Sequence, residues 1–188
     1  LSDSQDSLKY IASGMAADKT SFSASDEGII FELLSDDITE DEKMIDVLDV
    51  IIIDNFDTGK FSKGQINAIK KWVSKGGTLF LGSGADAGKV LDAFSGTLLK
   101  GTIGSAKSIR TNFGVTRAEL TSLLGENLAN KRVPLDITQI KINGSKPVLT
   151  DGRNKLASVK EYGSGNIITA EFSLALSPGT SRLYGPVI

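Results

Sequence analysis

The sequence predicts a doubly wound α/β sandwich, mainly parallel at the centre of its sheet, flanked by helices, with antiparallel β-hairpins at the C-terminal edge. Three observations carry that expectation. Residues 50–53 are an unbroken β-branched run, Val-Ile-Ile-Ile, which suits a strand covered on both faces, as in a parallel sheet. A helical pattern follows, and a second apolar run, Thr78 to Leu81, comes directly after it; a strand, a crossover helix and a strand of this length bring the two strands together in parallel and right-handed. From Leu135 onward the apolar period changes to two, with Asn143-Gly144 and Asp151-Gly152 between the runs, and these are dipeptides that hairpin turns prefer.

In the central unit every local signal agrees. Asp54 ends the first strand. Ser62-Lys63-Gly64-Gln65 reads as a capping box, with Phe61 before the cap and Ile66 after it placed as a hydrophobic staple, so the helix begins at Lys63. Ile66, Ile69, Trp72 and Val73 share one stripe, Lys70, Lys71 and Lys75 face water, and Gly76 can take the left-handed position that ends a helix.

The remaining elements follow in order. Residues 2–16 read as a helix whose face is Leu8, Ile11, Ala12 and Met15, capped by Ser2 or Ser4. A doubly wound fold normally feeds its first helix from a strand, so Leu1-Ser2-Asp3 reads as the tail of one. Asp18 to Gly28 is polar loop, Ile29 to Leu34 a second strand, and Thr39 with Glu42 marks the capping box of a short helix through Leu48. Lys89 to Phe94 completes another short helix. Leu98 to Ile109, with Gly101 and Gly104, reads as a bulged strand or an irregular insertion. Thr116 and Glu119 cap a helix through Leu124. Beyond it, Ile140 to Ile142, Val148-Leu149, Leu156 to Tyr162 and Ile167 to Leu176 are the strands of hairpins that extend the sheet, the last two turning at Gly163-Ser164-Gly165. No internal repeat or low-complexity linker divides the chain, which predicts a single domain over residues 1–188.

Composition narrows the chemistry. A 40% hydrophobic content with 20 Gly and 4 Pro in 188 residues is that of a globular domain. No apolar run approaches the roughly 18 residues of a membrane span, and no signal-peptide pattern is present. The first residue is Leu, which predicts a processed chain or an excised piece. With no Cys and no His, thiol nucleophiles, disulfides, Cys-type zinc sites, imidazole bases and Ser-His-Asp triads are all closed to this chain. Absence of Cys is compatible with an exported protein. Residues 1–59 hold 15 acids and 3 bases, and residues 60–188 hold 8 acids and 18 bases. Either the two parts neutralise each other on folding, or an acidic surface is left for divalent cations or a basic partner. The bases are scattered, with Lys70-Lys71 and Lys131-Arg132 the adjacent pairs, so no nucleic-acid partner is expected. No cofactor or metal centre is predicted.

One turn draws the eye for its chemistry. Ser83 stands at the sharp turn after the second apolar strand, in Leu81-Gly82-Ser83-Gly84-Ala85, where several α/β enzymes place a nucleophile. Taken together, LDVIIIDNF, QINAIKKWVSKGG and TLFLGSG resemble the class I glutamine amidotransferase-like superfamily. Ser83 falls where that family keeps its Cys, Ala85 takes the place of a usual Gly, and the family's His has no counterpart. The longer segment DNFDTGKFSKGQINAIKKWVSKGGTLFLGSG looks like a non-catalytic branch found in large exported or membrane-attached bacterial proteins, and GSGNIITAEFSLAL resembles that branch's last hairpin. The resemblance spans residues 1–176 in architecture and 49–84 in motif. It implies a flavodoxin-like sheet, a surface location and no amidase activity.

Other patterns overlap the same turn. Gly88-Lys89 would end a Walker A loop, but Ser83 stands at its first Gly and Val90 at its magnesium-ligating hydroxyl. Gly82, Gly84 and Ala87 fit a permissive dinucleotide fingerprint that lacks a downstream ribose-binding acid. Asp54, Asn55 and Asp57 lie at the C-terminal end of a parallel strand, where open α/β sheets bind ligands, and with Asp86 they could hold Mg²⁺ or Ca²⁺ through oxygen. Asp54 is also placed like the phosphoacceptor of a receiver domain, with Ser83 as its switch hydroxyl. The expectation drawn from all of this is a non-enzymatic binding or scaffolding module of a larger bacterial cell-surface or secreted protein, whose partner is an unknown protein or small molecule. Its ligand-binding residues would be Asp54, Asn55, Asp57, Ser83, Gly84 and Asp86. The alternative is a divalent-cation-dependent receiver-like or nucleotide/phosphate-binding domain using Asp54 and the loop from Gly82 to Lys89.

Overall fold

A computed structural model describes residues 1–2, 33–111 and 132–174. In these residues the strands are β1 (Val50–Asp54), β2 (Thr78–Gly82), β3 (Gly101–Thr111), β4 (Val133–Ile142), β5 (Lys146–Asp151), β6 (Asn154–Tyr162) and β7 (Gly165–Ala170), and the α-helices are α1 (Lys63–Lys75) and α2 (Ala87–Leu91). Five strands form one sheet in the order β1-β2-β7-β6-β5, while β3 and β4 form a separate two-stranded sheet. β1, β2 and β7 run parallel, and β6 and β5 are antiparallel additions.

The central unit forms as its local signals require. The Ser62 Oγ accepts from the Gln65 N–H at 3.1 Å and the Gln65 Oε1 accepts from the Ser62 N–H at 2.8 Å, closing the capping box. Gln65 also reaches outward, its Nε2 donating to the carbonyls of Ser35 and Ile38 at 2.9 and 2.6 Å. At the other end Gly76, with φ 137°, stops the helix. Ala68, Ile69, Trp72 and Val73 are buried against Ile51, Ile53, Leu79, Leu81 and Ile167 of the sheet. The Trp72 Nε1 finds the Leu48 carbonyl at 2.9 Å, so the largest side chain of the helix enters the core with its polar atom satisfied. Leu1 lies beside β1 in parallel-strand pattern: its amino group donates to the Ile52 carbonyl at 2.7 Å and its carbonyl accepts from the Asp54 N–H at 2.9 Å.

The doubly wound, helix-flanked architecture is not what forms. Strand outweighs helix, and the sheet is mixed, with the third parallel strand, β7, supplied by a hairpin instead of a further strand-helix crossover. The face opposite α1 is covered by strand: Leu135 and Ile137 of β4 pack with Ala157, Ala170, Phe172 and Leu174, and Ile52 and Phe80 lie against them. The physical reason is the partner chosen by β4. Asn143-Gly144 makes its turn, but β4 pairs with β3 and β5 pairs with β6, so this turn joins two sheets instead of two hydrogen-bonded neighbours. The expected bulge is present in β3 between Ile103 and Ala106. Opposite it the alternation of β4 slips by one, Ile137 and Thr138 both being buried. The slip turns Ile140 and Ile142 into the cluster that holds α1.

Smaller expectations are corrected in the same way. The helix from Thr39 to Leu48 is replaced by 3-10 turns at Ser35–Asp37 and Glu42–Met44, and the Thr39 hydroxyl donates to the Asp41 carbonyl at 2.9 Å instead of capping. Leu33 and Leu34 are not in strand. β7 ends at Ala170, well before Leu176. The helices expected over 2–16 and 116–124, and most of the strand expected over 29–34, lie outside the described residues. Among the described residues no helix is long and apolar enough to cross a membrane.

Ser62 does more than cap, since its hydroxyl also donates to the Glu40 carboxylate at 2.6 Å. Ser62→Ala is expected to cost about 1 kcal/mol, seen as a lower urea midpoint with an unchanged slope, whereas Ser62→Thr should keep most of that stability.

Candidate functional site

The C-terminal ends of β1 and β2 bring three of the expected site residues, Asp54, Ser83 and Gly84, together, but around a piece of the protein itself. Asp54 is opposite Gly82 in the register and fully buried. Its Oδ1 accepts from the Leu174 N–H at 2.7 Å and its Oδ2 from the Ser173 hydroxyl at 2.8 Å. Gly82 has no Cβ to obstruct this, and one built there would lie 2.1 Å from the Asp54 Oδ1. Ser83 is equally buried. Its Oγ donates to the Ala170 carbonyl at 2.5 Å and its N–H to the Phe172 carbonyl at 2.9 Å. Gly84, at φ 52°, passes so close to Ser173 that a Cβ would stand 2.8 Å from its N–H nitrogen.

The other expected residues have local roles. Asn55 turns the chain out of β1 at φ 47°, a conformation Asn tolerates better than most residues. Asp57 caps the turn Thr58–Lys60, its Oδ1 accepting from the Gly59 N–H at 3.0 Å. The buried Thr58 anchors that turn to α2 through the Lys89 and Val90 carbonyls, at 3.2 and 3.1 Å. Asp86 precedes α2 half-exposed and makes no side-chain cap bond. Among the described residues no three acids are grouped so as to hold a metal ion. The loop from Gly82 to Lys89 offers no free cradle at its start: the Gly82 space is occupied by a carboxylate and the Ser83 N–H has a carbonyl partner. Chemically, the edge is a clasp. The Ser83 hydroxyl donates to a buried backbone carbonyl, and the buried Asp54 carboxylate accepts from Ser173 and Leu174.

A second polar place lies where the two sheets meet. Glu171, only 4% exposed, follows β7 and joins three strands. Its N–H donates to the Leu156 carbonyl of β6 at 2.7 Å, its carbonyl accepts from Thr138 of β4 at 2.8 Å, and its Oε1 accepts from the Ile140 N–H at 3.0 Å. Lys155 of β6 pairs with the same carboxylate at 3.2 Å and also donates to the Ile140 carbonyl. Beside this node opens a cavity of about 340 Å³ lined chiefly by Lys107, Gln139, Lys141, Arg153, Lys155 and Glu171. Sequence reasoning did not single out these residues. One signal was there: Glu171 is the lone charge in the apolar run Ile167 to Leu176, and a buried acid needs paired company.

No protein-family model matches this sequence, and no curated protein matches it. Solved structures of similar fold do exist. Cytoplasmic protein STM1381 from Salmonella typhimurium LT2 superposes with a TM-score of 0.57 at 10% identity, over 94% of this chain and 80% of that one. Cytoplasmic protein STM3548 from Salmonella typhimurium gives 0.51 at 15% identity, over 79% and 74%. The exo-beta-1,4-mannosidase Op5Man5 from Opitutaceae bacterium strain TAV5 aligns with 76% of this chain but 24% of its own, with a TM-score of 0.48 and 16% identity. The two Salmonella likenesses concern the fold alone.

Asp54→Ala is expected to lower stability by about 2 kcal/mol, because it removes the acceptor of the buried Leu174 N–H and of the half-buried Ser173 hydroxyl; equilibrium urea unfolding measures it. Glu171→Ala should cost about as much by leaving the Ile140 N–H unpaired and taking from Lys155 its carboxylate. Hydrogen exchange in the second variant should accelerate first at Thr138 and Ile140.

Proposed function

We propose that this chain is a non-enzymatic binding or scaffolding module of a larger bacterial protein that is secreted or carried on the cell surface. The observation that supports it most is the state of the sheet edge. The hydroxyl and the carboxylate that a hydrolase or a phosphorelay domain would present there, Ser83 and Asp54, are both buried and bonded to residues 170–174. A chain with no His and no Cys also lacks the usual bases that would activate such a serine near neutral pH. The surface location rests on the likeness of residues 49–84 to the non-catalytic branch of the amidotransferase-like superfamily, which belongs to this proposal as a likeness of the β1-α1-β2 motif and not of the whole sheet. The two Salmonella proteins of similar fold are named as cytoplasmic proteins. Fractionating cells that make the tagged parent protein decides between the two locations.

In a thermal-shift screen Mg²⁺ and Ca²⁺ are expected to leave the melting temperature unmoved, any shift with ATP, NAD or acetyl phosphate should be the same in Asp54→Asn as in the parent chain, and amide and ester reporter substrates should not turn over. An Asp54-dependent stabilisation by any of these ligands would favour phosphoryl or metal chemistry at that edge. Turnover abolished by Ser83→Ala would overturn the non-enzymatic reading.

A further inference from the structure

We infer that the cavity between the two sheets is a binding site for a small organic anion carrying two or more negative charges as phosphate or carboxylate. This deepens the binding-module reading and rests on it. The cavity gathers Lys107 from β3, Lys141 from β4, Arg153 from the β5–β6 turn and Lys155 from β6, with Glu171 as its one acid. That acid is engaged: Lys155 is 3.2 Å away and the Ile140 N–H 3.0 Å. Lys107 has a neutral partner, the Asn154 Oδ1 at 2.8 Å. Among the described residues no carboxylate pairs with Lys107, Lys141 or Arg153. Three cations therefore line one cavity with no acid among the described residues paired to them, and the cost of their mutual repulsion falls when an anion enters.

The wall is built and not incidental. Glu171 is buried and fixes the Lys155 ammonium from below, while Ile137 and Ile140 give the cavity an apolar floor and Thr102, Gln139 and Asn154 offer hydroxyl and amide groups. The bulge between Ile103 and Ala106 lies in the same wall, the kind of irregularity that re-aims side chains at a site. A volume of about 340 Å³ is at the lower end of small-molecule pockets. The Arg153 guanidinium matches a carboxylate or phosphate as a fork, and the lysines act as point charges. Among the described residues no aromatic side chain lines the cavity, so none of them would stack a nucleobase. All four cations belong to residues 60–188, the stretch with 18 bases against 8 acids, and an anion site is one use for that excess.

Isothermal titration of the intact chain at low salt with pyrophosphate, citrate, glucose 6-phosphate and glucose tests the inference. The charged probes are expected to bind and glucose not to. Affinity should fall with added salt, and by about tenfold or more in the double variant Lys141→Glu/Arg153→Glu. Both residues are exposed, and circular dichroism checks that the variant folds; Lys141→Gln/Arg153→Gln should give a smaller loss in the same direction. Preference for pyrophosphate over citrate marks a phosphate ligand, and the reverse a carboxylate. No binding of any charged probe, or binding unchanged in both double variants, would overturn the site. Those results would leave the non-enzymatic reading standing, whereas turnover sensitive to Ser83→Ala would remove that reading and leave anion binding to be judged by the titration.

Discussion

Ala170, the last residue of β7, and the four residues after it are tied to β1, β4, β6 and the turn after β2 through polar groups that are buried or half-buried. The Ala170 carbonyl takes the Ser83 proton, the Glu171 backbone bridges β6 and β4, the Phe172 carbonyl takes the Ser83 N–H, and Ser173 and Leu174 both donate to Asp54. Between these bonds Phe172 and Leu174 enter the second apolar cluster. Burying so many donors and acceptors is tolerable only when each has a partner. The chain supplies those partners from distant segments, so changing one group removes a partner from another far along the chain. The parallel half of the sheet, its antiparallel extension and the β3–β4 sheet are held in one arrangement by this run.

That constraint also sorts the side chains that carry chemistry. Asp54 and Ser83 sit where open α/β sheets place catalytic groups, but here their hydrogen-bonding capacity is directed inward. A hydroxyl donating to a buried carbonyl is a packing device. Side chains that do face an open space line the cavity beside Glu171, and four of them, Lys107, Lys141, Arg153 and Lys155, are cationic. Lys155 belongs to both worlds: its ammonium is held by the buried carboxylate, yet about a quarter of its side chain remains exposed (28%). The same acid that joins the sheets thus sets the position of a cation at the cavity wall.

Much of the fold is legible in short windows of sequence. The capping box at Ser62, the stripe through Trp72 and Val73, the glycine stop at Gly76 and the hairpin turns at Asp151-Gly152 and Gly163 to Gly165 all act over a few residues, and all form as expected. The Asn143-Gly144 turn forms too, but a turn signal specifies a reversal of direction and not the neighbour of each strand. β4 leaves β5 and joins β3 because the bulge and the slip at Ile137-Thr138 let it serve two apolar clusters at once. A doubly wound sheet was therefore the wrong inference from a correct reading of the β1-α1-β2 unit. The candidate site misled for a related reason. Gly82-Ser83-Gly84 looks the same whether it opens to solvent or is closed by a segment 87 residues away.

By itself, the sequence determined what depends on neighbours along the chain: where helix α1 begins and ends, that the runs on either side of it are strands, and that no thiol or imidazole chemistry is available. Only the tertiary structure decided that Asp54 and Ser83 are inside, that Glu171 is the joint between sheets, and that four cations from four separate elements face one cavity. Local backbone preferences act within a turn of helix or a pair of strands, so a few residues reveal them. Burial and charge convergence arise from contacts between segments far apart, whose geometry no local pattern encodes.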